Sequence, residues 1–349
     1  MSSAKRTFGM GVIGCGVISD THLAAIEMLP DARLVAVCDK NEAAAQAKAQ
    51  AWGCDYHTSH LEMLQREDLD IVNVVVPSGL HAGIGIDAAK AGKHVLVEKP
   101  IDIALEAIDA LVAAGEANRV KIGAIYQLRA YPAYRRVKQA AEEGRLGQLL
   151  YANAFVPWYR SDEYYSDGWH GTKALDGGGA LMNQSIHYID LLLFLMGRAV
   201  RVAGLTGTLG HEQIEVEDCG SAVVLFESGA QGLIQGSTCT YVGHPARVEV
   251  HGTQGNVYIE ANEVRLWEVE GEPVERHDGP AAATASSDPR AGLDRAVRAH
   301  ADQIQDLIDA IREDREPKLS GREARRAVEL ILAVYRSSDT GEVVELQRG

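Results

Sequence analysis

Phe8-Gly9-Met10-Gly11-Val12-Ile13-Gly14-Cys15-Gly16-Val17-Ile18-Ser19 is an apolar run that ends in two glycines one residue apart and leads into a helix-like segment, Ser19 to Leu29. In a dinucleotide fingerprint the first glycine permits a tight turn and the second lets the backbone approach a pyrophosphate. The third position needs only a small residue, which Ser19 supplies. The start of the following helix offers unpaired N–H groups to phosphate. Asp39 closes the next apolar run, Arg33 to Cys38. A carboxylate there accepts from adenosine ribose hydroxyls and repels a 2′-phosphate, which favours NAD, while Lys40 beside it leaves NADP open. Gly14, Gly16, Val17, Ile18, Asp39 and Lys40 are therefore candidate cofactor contacts. Two glycines alone could be mere turn residues; the strand before them, the helix after them and Asp39 support the functional reading.

Outward from this stretch, strand and helix patterns alternate to residue 124. Asn41 to Trp52 is alanine-rich and helical, Ile71 to Val76 is a buried strand stopped by Pro77, and His81 to Ala91 is helical. Val95 to Val97 is a strand before Glu98-Lys99-Pro100, Leu105 to Asn118 is helical, and Val120 to Ala124 is a strand. Such alternation implies a parallel sheet covered on both faces. Ligands of these sheets bind outside the carboxyl ends of the strands. Pro77, Ser78, His81, Glu98, Lys99 and Gln127 join the cofactor candidates on that ground, with loop closure and helix capping as the structural alternative for Ser78 and His81.

The second half differs. Runs near 147–156, 200–209, 219–227, 230–240, 244–252, 255–260 and 263–269 resemble strands joined by short Gly-containing turns, which points to a mainly antiparallel sheet. A single long helix is expected over Ala180 to Met196. Residues 271–292 read as a low-complexity loop, and two helices close the chain, the last with a Ser320-x-x-Glu323 capping box. The expected class is α/β, with residues 1–124 a Rossmann domain and 125–349 an α/β domain with a mainly antiparallel sheet.

Lys99 follows a parallel strand, and Pro100 biases it to extended backbone. On the 180–196 helix, Asn183, His187 and Asp190 fall at i, i+4 and i+7 on an otherwise apolar segment. A polar stripe of this kind faces water, a partner or a cleft, or else forms a buried hydrogen-bonded network. Its spacing matches known metal sites poorly, so no metal is expected. Trp158, Trp169 and His170 lie in or beside an aromatic-rich loop; Tyr126 and Arg129 follow the last Rossmann strand. Aromatic faces pack on sugar C–H faces and tyrosine hydroxyls bond sugar hydroxyls, although core packing accounts equally for some of these residues.

The combination Gly14-x-Gly16, Glu98-Lys99-Pro100 and Gly177-Gly-Gly-x-Leu-x-Asn183-x-x-x-His187-x-x-Asp190 resembles the glucose-fructose oxidoreductase/inositol dehydrogenase/rhizopine catabolism (Gfo/Idh/MocA) family over nearly the whole chain. The resemblance implies Lys99 and His187 as catalytic residues, and makes the sheet of the second domain a large open one that often forms subunit contacts. Many members carry Asp where Asn183 stands. Asn183 cannot act as a carboxylate base, so its part in the catalytic set is hydrogen bonding, and His187 becomes the proton acceptor. Lys99, Tyr126, Arg129, Trp158, Trp169, His170, Asn183, His187 and Asp190 form the expected substrate set. The implied activity is NAD(P)-dependent oxidation of a secondary hydroxyl of a sugar, sugar derivative or inositol. Alternatives are an enzyme that recycles tightly held cofactor between two sugars and a non-catalytic cofactor sensor.

The chain has 349 residues and a net charge of -15, which opposes non-specific nucleic-acid binding. It has no apolar run long enough to span a bilayer, and Met1 to Arg6 shows no apolar signal region, so a cytoplasmic protein is expected; the subunit contacts that the resemblance implies add a homo-oligomer, dimer or tetramer. Five scattered cysteines, without paired spacing, read as inert thiols.

Overall fold

The computed structural model describes residues 6–279 and 289–346. The chain divides into two compact units, Met1–Gln127 with Arg290–Arg325, and Leu128–Pro289 with Arg326–Gly349.

The first unit is built on a six-stranded parallel sheet of order β3-β2-β1-β4-β5-β6. Its strands are β1 (Phe8–Ile13), β2 (Ala32–Cys38), β3 (Asp55–His57), β4 (Ile71–Val74), β5 (His94–Val97) and β6 (Ile122–Ala124). Every residue of β1 and β4 is buried, as expected of strands covered on both faces. Helices α1 (Ser19–Glu27), α2 (Glu42–Trp52), α3 (His60–Met63), α4 (His81–Lys90) and α5 (Leu105–Asn118) complete this part. Sequence patterning missed β3 and α3; β3 is three residues long with no buried side chain, so it has no alternation to read.

One element joins this unit from far along the chain. Helix α8 (Pro289–Glu313) places Val297, Ala301, Ile304, Leu307 and Ile308 in the same hydrophobic cluster as Phe8, Met10, Val12, Leu23 and Ile26. Arg312 donates to Asp31 at 2.7 Å, and Gln303 clamps the Tyr126 backbone through both its amide atoms. This corrects the domain boundary expected at residue 124: the first unit is discontinuous and reclaims residues 290–325. The reason is the apolar i, i+4, i+7, i+11 stripe of α8, whose burial lies with the Rossmann core. Of the expected 271–292 loop, residues 280–288 lie outside the described residues.

The second unit carries a nine-stranded sheet of order β14-β13-β12-β11-β7-β10-β9-β8-β15. The strands are β7 (Leu149–Pro157), β8 (Ala199–Gly207), β9 (Cys219–Phe226), β10 (Gln231–Ser237), β11 (Arg247–Gly252), β12 (Gly255–Glu260), β13 (Glu263–Val269), β14 (Glu275–Arg276) and β15 (Val344–Glu345). All pairs are antiparallel except β7 with β10. One face is covered by α7 (Ile186–Met196) and the turn before it. On the other face Val223, Leu233 and Leu205 are exposed. Helix α6 (Pro132–Glu142) precedes β7, and α9 (Gly321–Thr340) begins at Ser320, whose hydroxyl accepts from the Glu323 amide at 3.3 Å, one half of the expected capping box.

Candidate functional site

In the first unit the candidate residues gather at the carboxyl ends of the parallel strands. After β1 the chain turns at Gly14, where φ is +106° and an added Cβ would lie 2.4 Å from the Val75 carbonyl oxygen. Only glycine fits there. At Gly16 the opposite holds: an added Cβ would meet nothing within 4 Å, so open space lies above the backbone at the position a pyrophosphate would use. Val17 is 94% exposed, although apolar. Ser19 is buried and its hydroxyl donates to the Gly16 carbonyl at 2.6 Å, which fits the small-residue requirement.

Asp39 follows β2. Its Oδ2 accepts the Cys15 amide at 2.8 Å and its Oδ1 the Asn41 amide at 2.9 Å. The carboxylate thus holds the glycine turn in shape, and each oxygen keeps a second lone pair for a ribose hydroxyl. Lys40 is exposed. After β6, Gln127 has a buried side-chain oxygen that no group among the described residues bonds, an acceptor suited to a ligand N–H or O–H. These features fit a bound dinucleotide.

Two expected cofactor residues are engaged elsewhere. His81 is buried, with Nδ1 2.6 Å from the Pro100 carbonyl oxygen and Nε2 2.7 Å from that of Val76. With both ring nitrogens on backbone carbonyls it braces the loops after β4 and β5, beside the buried Ser78 and the Pro77 turn, and has no nitrogen left for a cofactor. Glu98 is buried too. Its Oε1 lies 3.0 Å from His22 Nε2 and 3.2 Å from His300 Nε2, while Oε2 accepts the Lys99 amide at 2.9 Å. Its carboxylate therefore faces inward. Lys99, half-buried and joined to Pro100 by a cis peptide bond, is the residue of this motif with solvent access. Among the described residues His22, Glu98 and His300 form the one group with metal-ligand chemistry, and their contacts are hydrogen-bonding distances.

Burial pushes the Glu98 carboxyl up, but hydrogen bonds from His22 and His300 outweigh it and hold the group well below its ordinary range. A lowered carboxyl adds stability that is present above the unfolded value, near 4.5, and lost as pH falls through the folded one. Glu98→Gln is therefore expected to flatten the loss of Tm between about pH 5 and pH 3. Parallel wild-type and variant curves over that window would show that Glu98 is not ionised in the fold.

All five cysteines are free, and Cys38 is the buried one. Burial, reinforced at Cys15 by the charge of Asp39, pushes the Cys15 thiol up to about 11, and burial pushes Cys38 up to about 12.

In the second unit the expected single helix is two elements. Ala180–Ser185 is a π-helical turn, and α7 begins only at Ile186. The start of the π turn is held by Glu217, whose carboxylate accepts the Gly179 amide at 3.0 Å, the Leu181 amide at 2.8 Å and the Tyr335 hydroxyl at 2.8 Å. The glycine run before it follows from this crowding. A Cβ at Gly178 would lie 2.1 Å from the Tyr335 hydroxyl, and one at Gly179 would lie 2.1 Å from the Glu217 carbonyl oxygen.

The expected polar stripe does not act as one face. Asn183, buried in the π turn, donates to Asp176 Oδ1 at 2.5 Å, while Asp176 Oδ2 accepts the Gly171 amide at 2.8 Å. Asp190 is buried and bound by Arg129 at both oxygens, Nε to Oδ2 at 2.7 Å and Nη2 to Oδ1 at 2.5 Å. The Asp190 side chain is 1% exposed, and that of Arg129 11%. Among the described residues from 180 to 193, His187 alone is not fully buried. π turns occur often at functional sites because they re-aim side chains.

The aromatic loop is an assembled cluster. The His170 ring lies 3.7 Å from that of Trp169 and 4.2 Å from that of Tyr164, with Nδ1 2.6 Å from Asp167. Trp158 meets Tyr188 edge-on. Arg160, which sequence reading passed over, lies over Trp158 and Tyr164 and donates to Gln184 at 2.6 Å. Tyr126, in the first unit, is wholly buried.

Residues 8–126 match the oxidoreductase family with an NAD-binding Rossmann fold, and residues 134–258 match the GFO/IDH/MocA C-terminal domain. The chain is 28% identical to a D-apiose dehydrogenase of Paraburkholderia graminis, covering 99% of this chain and 92% of that protein. It is 29% identical to an inositol 2-dehydrogenase of Rhizobium meliloti, covering 95% and 97%. The structure of the WlbA dehydrogenase from Bordetella pertussis in complex with NADH and UDP-GlcNAcA superposes with a TM-score of 0.86 at 32% identity, covering 99% of this chain and 100% of that one. With its NAD-binding Rossmann fold and its matching C-terminal domain, the chain belongs to the GFO/IDH/MocA oxidoreductase family.

Proposed function

We propose that the protein is an NAD-dependent dehydrogenase that oxidises a secondary hydroxyl of a sugar, sugar derivative or inositol, with His187 as base and Lys99 as the cation that stabilises the developing alkoxide. The observation that carries this reading is the partition of the polar helix. Asn183 and Asp190 are bound to Asp176 and Arg129, and His187 alone keeps solvent access. NAD, when bound, supplies the hydride acceptor. His187 takes the hydroxyl proton, a task suited to an imidazole at neutral pH. Lys99 contributes charge and a hydrogen bond at the oxygen. Gly16, Asp39 and Gln127 hold the dinucleotide, and the Trp169–His170–Tyr164 cluster with Trp158 offers ring faces to a polyol. Relatives named for D-apiose and inositol support the substrate class. The Asp39 carboxylate supports NAD over NADP. The exposed apolar residues of the large sheet support a homo-oligomer, dimer or tetramer, which light scattering after size exclusion would count.

The test is a panel: reduction of NAD and of NADP followed at 340 nm with monosaccharides, inositols, glycosides and sugar nucleotides. Turnover with one class and NAD is expected. Sugar conversion without NADH release would favour the cofactor-recycling enzyme, and no turnover would favour a sensor.

The two glycines of the turn give a second test. Gly16→Ala is expected to leave stability within about 0.5 kcal/mol, since its Cβ meets no protein atom, yet to weaken NAD about tenfold or more. Gly14→Ala is expected to destabilise by roughly 1–3 kcal/mol through its positive φ and its clash with Val75. Titration of NADH fluorescence beside thermal melts separates the two; equal NAD affinity in Gly16→Ala and wild type would remove Gly16 from the site.

A further inference from the structure

Glu98 is where two distant segments of the first unit converge. His22 comes from α1, His300 from α8, and both imidazoles meet the same oxygen of Glu98. The three side chains are buried, and the two rings pack edge to face with centroids 5.1 Å apart. Hydrogen-bond bookkeeping sets the direction of each contact. Asn73 donates its Nδ2 to the Gly11 carbonyl at 3.2 Å, so its oxygen is the atom turned to His22 Nδ1 at 3.3 Å. His300 Nδ1 faces the Ala296 carbonyl oxygen at 2.8 Å. Both Nδ1 positions therefore donate. The Glu98 carboxylate oxygen can only accept, and both Nε2 positions are turned to it. The second carboxylate oxygen accepts the amide of the next residue, Lys99.

We propose that His22, Glu98 and His300 form one buried positioning unit for Lys99, in which the carboxylate, locked by an imidazole from each side, fixes the Lys99 backbone and so the place of its ammonium group. The proposal rests on the reading of Lys99 as the alkoxide-stabilising cation. It gives the helix that returns from the far end of the chain a part in the chemistry beyond packing. With one imidazole removed, Glu98 keeps a single anchor on Oε1 and its grip on the Lys99 amide loosens. A displacement of the order of 1 Å at a reacting group costs about 10²-fold in rate.

The test uses full-length protein and has a readout that needs no substrate. Hydrogen exchange at the Lys99 amide, followed by NMR or mass spectrometry, is expected to quicken at least tenfold in His300→Phe, with exchange in β1 unchanged. His300→Gln, which keeps a donor toward Glu98, is expected to recover much of the protection. Should the phenylalanine variant fail to fold, His300→Gln against wild type carries the comparison, with an intermediate rate expected. Unchanged exchange at Lys99 in the folded variants would overturn the proposal. So would stoichiometric zinc in the purified protein, since the three groups would then be metal ligands.

Kinetics with whichever of myo-inositol, D-apiose and UDP-GlcNAcA is turned over fastest form the second arm. His300→Phe is expected to lower kcat by about 10- to 100-fold, with KM for NAD within twofold. In a Lys99→Ala background the same substitution is expected to change nothing further, because it acts through Lys99. An additive loss in the double variant would overturn the proposal. Full activity of Lys99→Ala alone would instead overturn the reading of Lys99 on which it rests, while the exchange arm still judges the positioning.

Discussion

Lys99→Ala and His187→Ala are each expected to lower kcat by about 10²–10⁴-fold while leaving NADH affinity within about threefold of wild type. The two losses have different origins. Without His187 the hydroxyl proton has no acceptor of matched basicity, so the defect should shrink as pH rises and solvent hydroxide takes over the task. Without Lys99 the developing alkoxide loses its cation, a defect that raising the pH does not repair. In free-energy terms each loss is about 3–5 kcal/mol of transition-state stabilisation. Steady-state kinetics between pH 6 and 10, beside NADH fluorescence titration, distinguish the two roles. Wild-type turnover in both variants would defeat the mechanism, and loss of NADH binding in either would assign that residue to the cofactor instead.

Much of the fold was readable because its signals are local. The Gly14–Gly16 turn sits on a fully buried strand, and strand and helix patterns alternate after it with short loops. The antiparallel half announced itself through turn glycines. What escaped has a common physical cause: it depends on contacts across large sequence separations. His300 is 202 residues from Glu98, and nothing in α8 except an apolar stripe hints at which core it serves. The discontinuous first unit was invisible for the same reason. Glu217 and Tyr335 set the glycine run before the π turn, but neither lies in that run.

The candidate site shows the same division. Helical spacing put Asn183, His187 and Asp190 on one face, yet spacing assumes a uniform α-helix. The π turn breaks that period, and each outer residue finds its own partner. The departure at Asn183 is also explained. Its amide donates to Asp176, a buried carboxylate. Asp at this position would set two buried carboxylates against each other, so the amide and Asp176 belong together.

The largest stability effect is expected at the Arg129–Asp190 pair. The guanidinium meets Asp190 through two hydrogen bonds and lies 4.9 Å from the Phe194 ring centroid. The side chains are 11% and 1% exposed, so the Asp190 charge above all is shut off from water. Removing one partner of such a pair strands the other, which typically costs about 3–5 kcal/mol. Arg129→Ala is therefore expected to lower Tm by on the order of 10 °C. Replacing both residues, as in Arg129→Met with Asp190→Leu, should recover much of that loss, because the desolvation cost of both charges disappears together. Asp190 sits one turn beyond His187 on α7, so the single variant should also lose activity, but through a smaller folded fraction and a displaced imidazole. The repaired double variant tells this role from substrate binding: it should regain kcat along with Tm, with KM for the alcohol close to wild type. A tenfold rise in that KM with Tm unchanged in Arg129→Ala would place Arg129 and Asp190 in the substrate site.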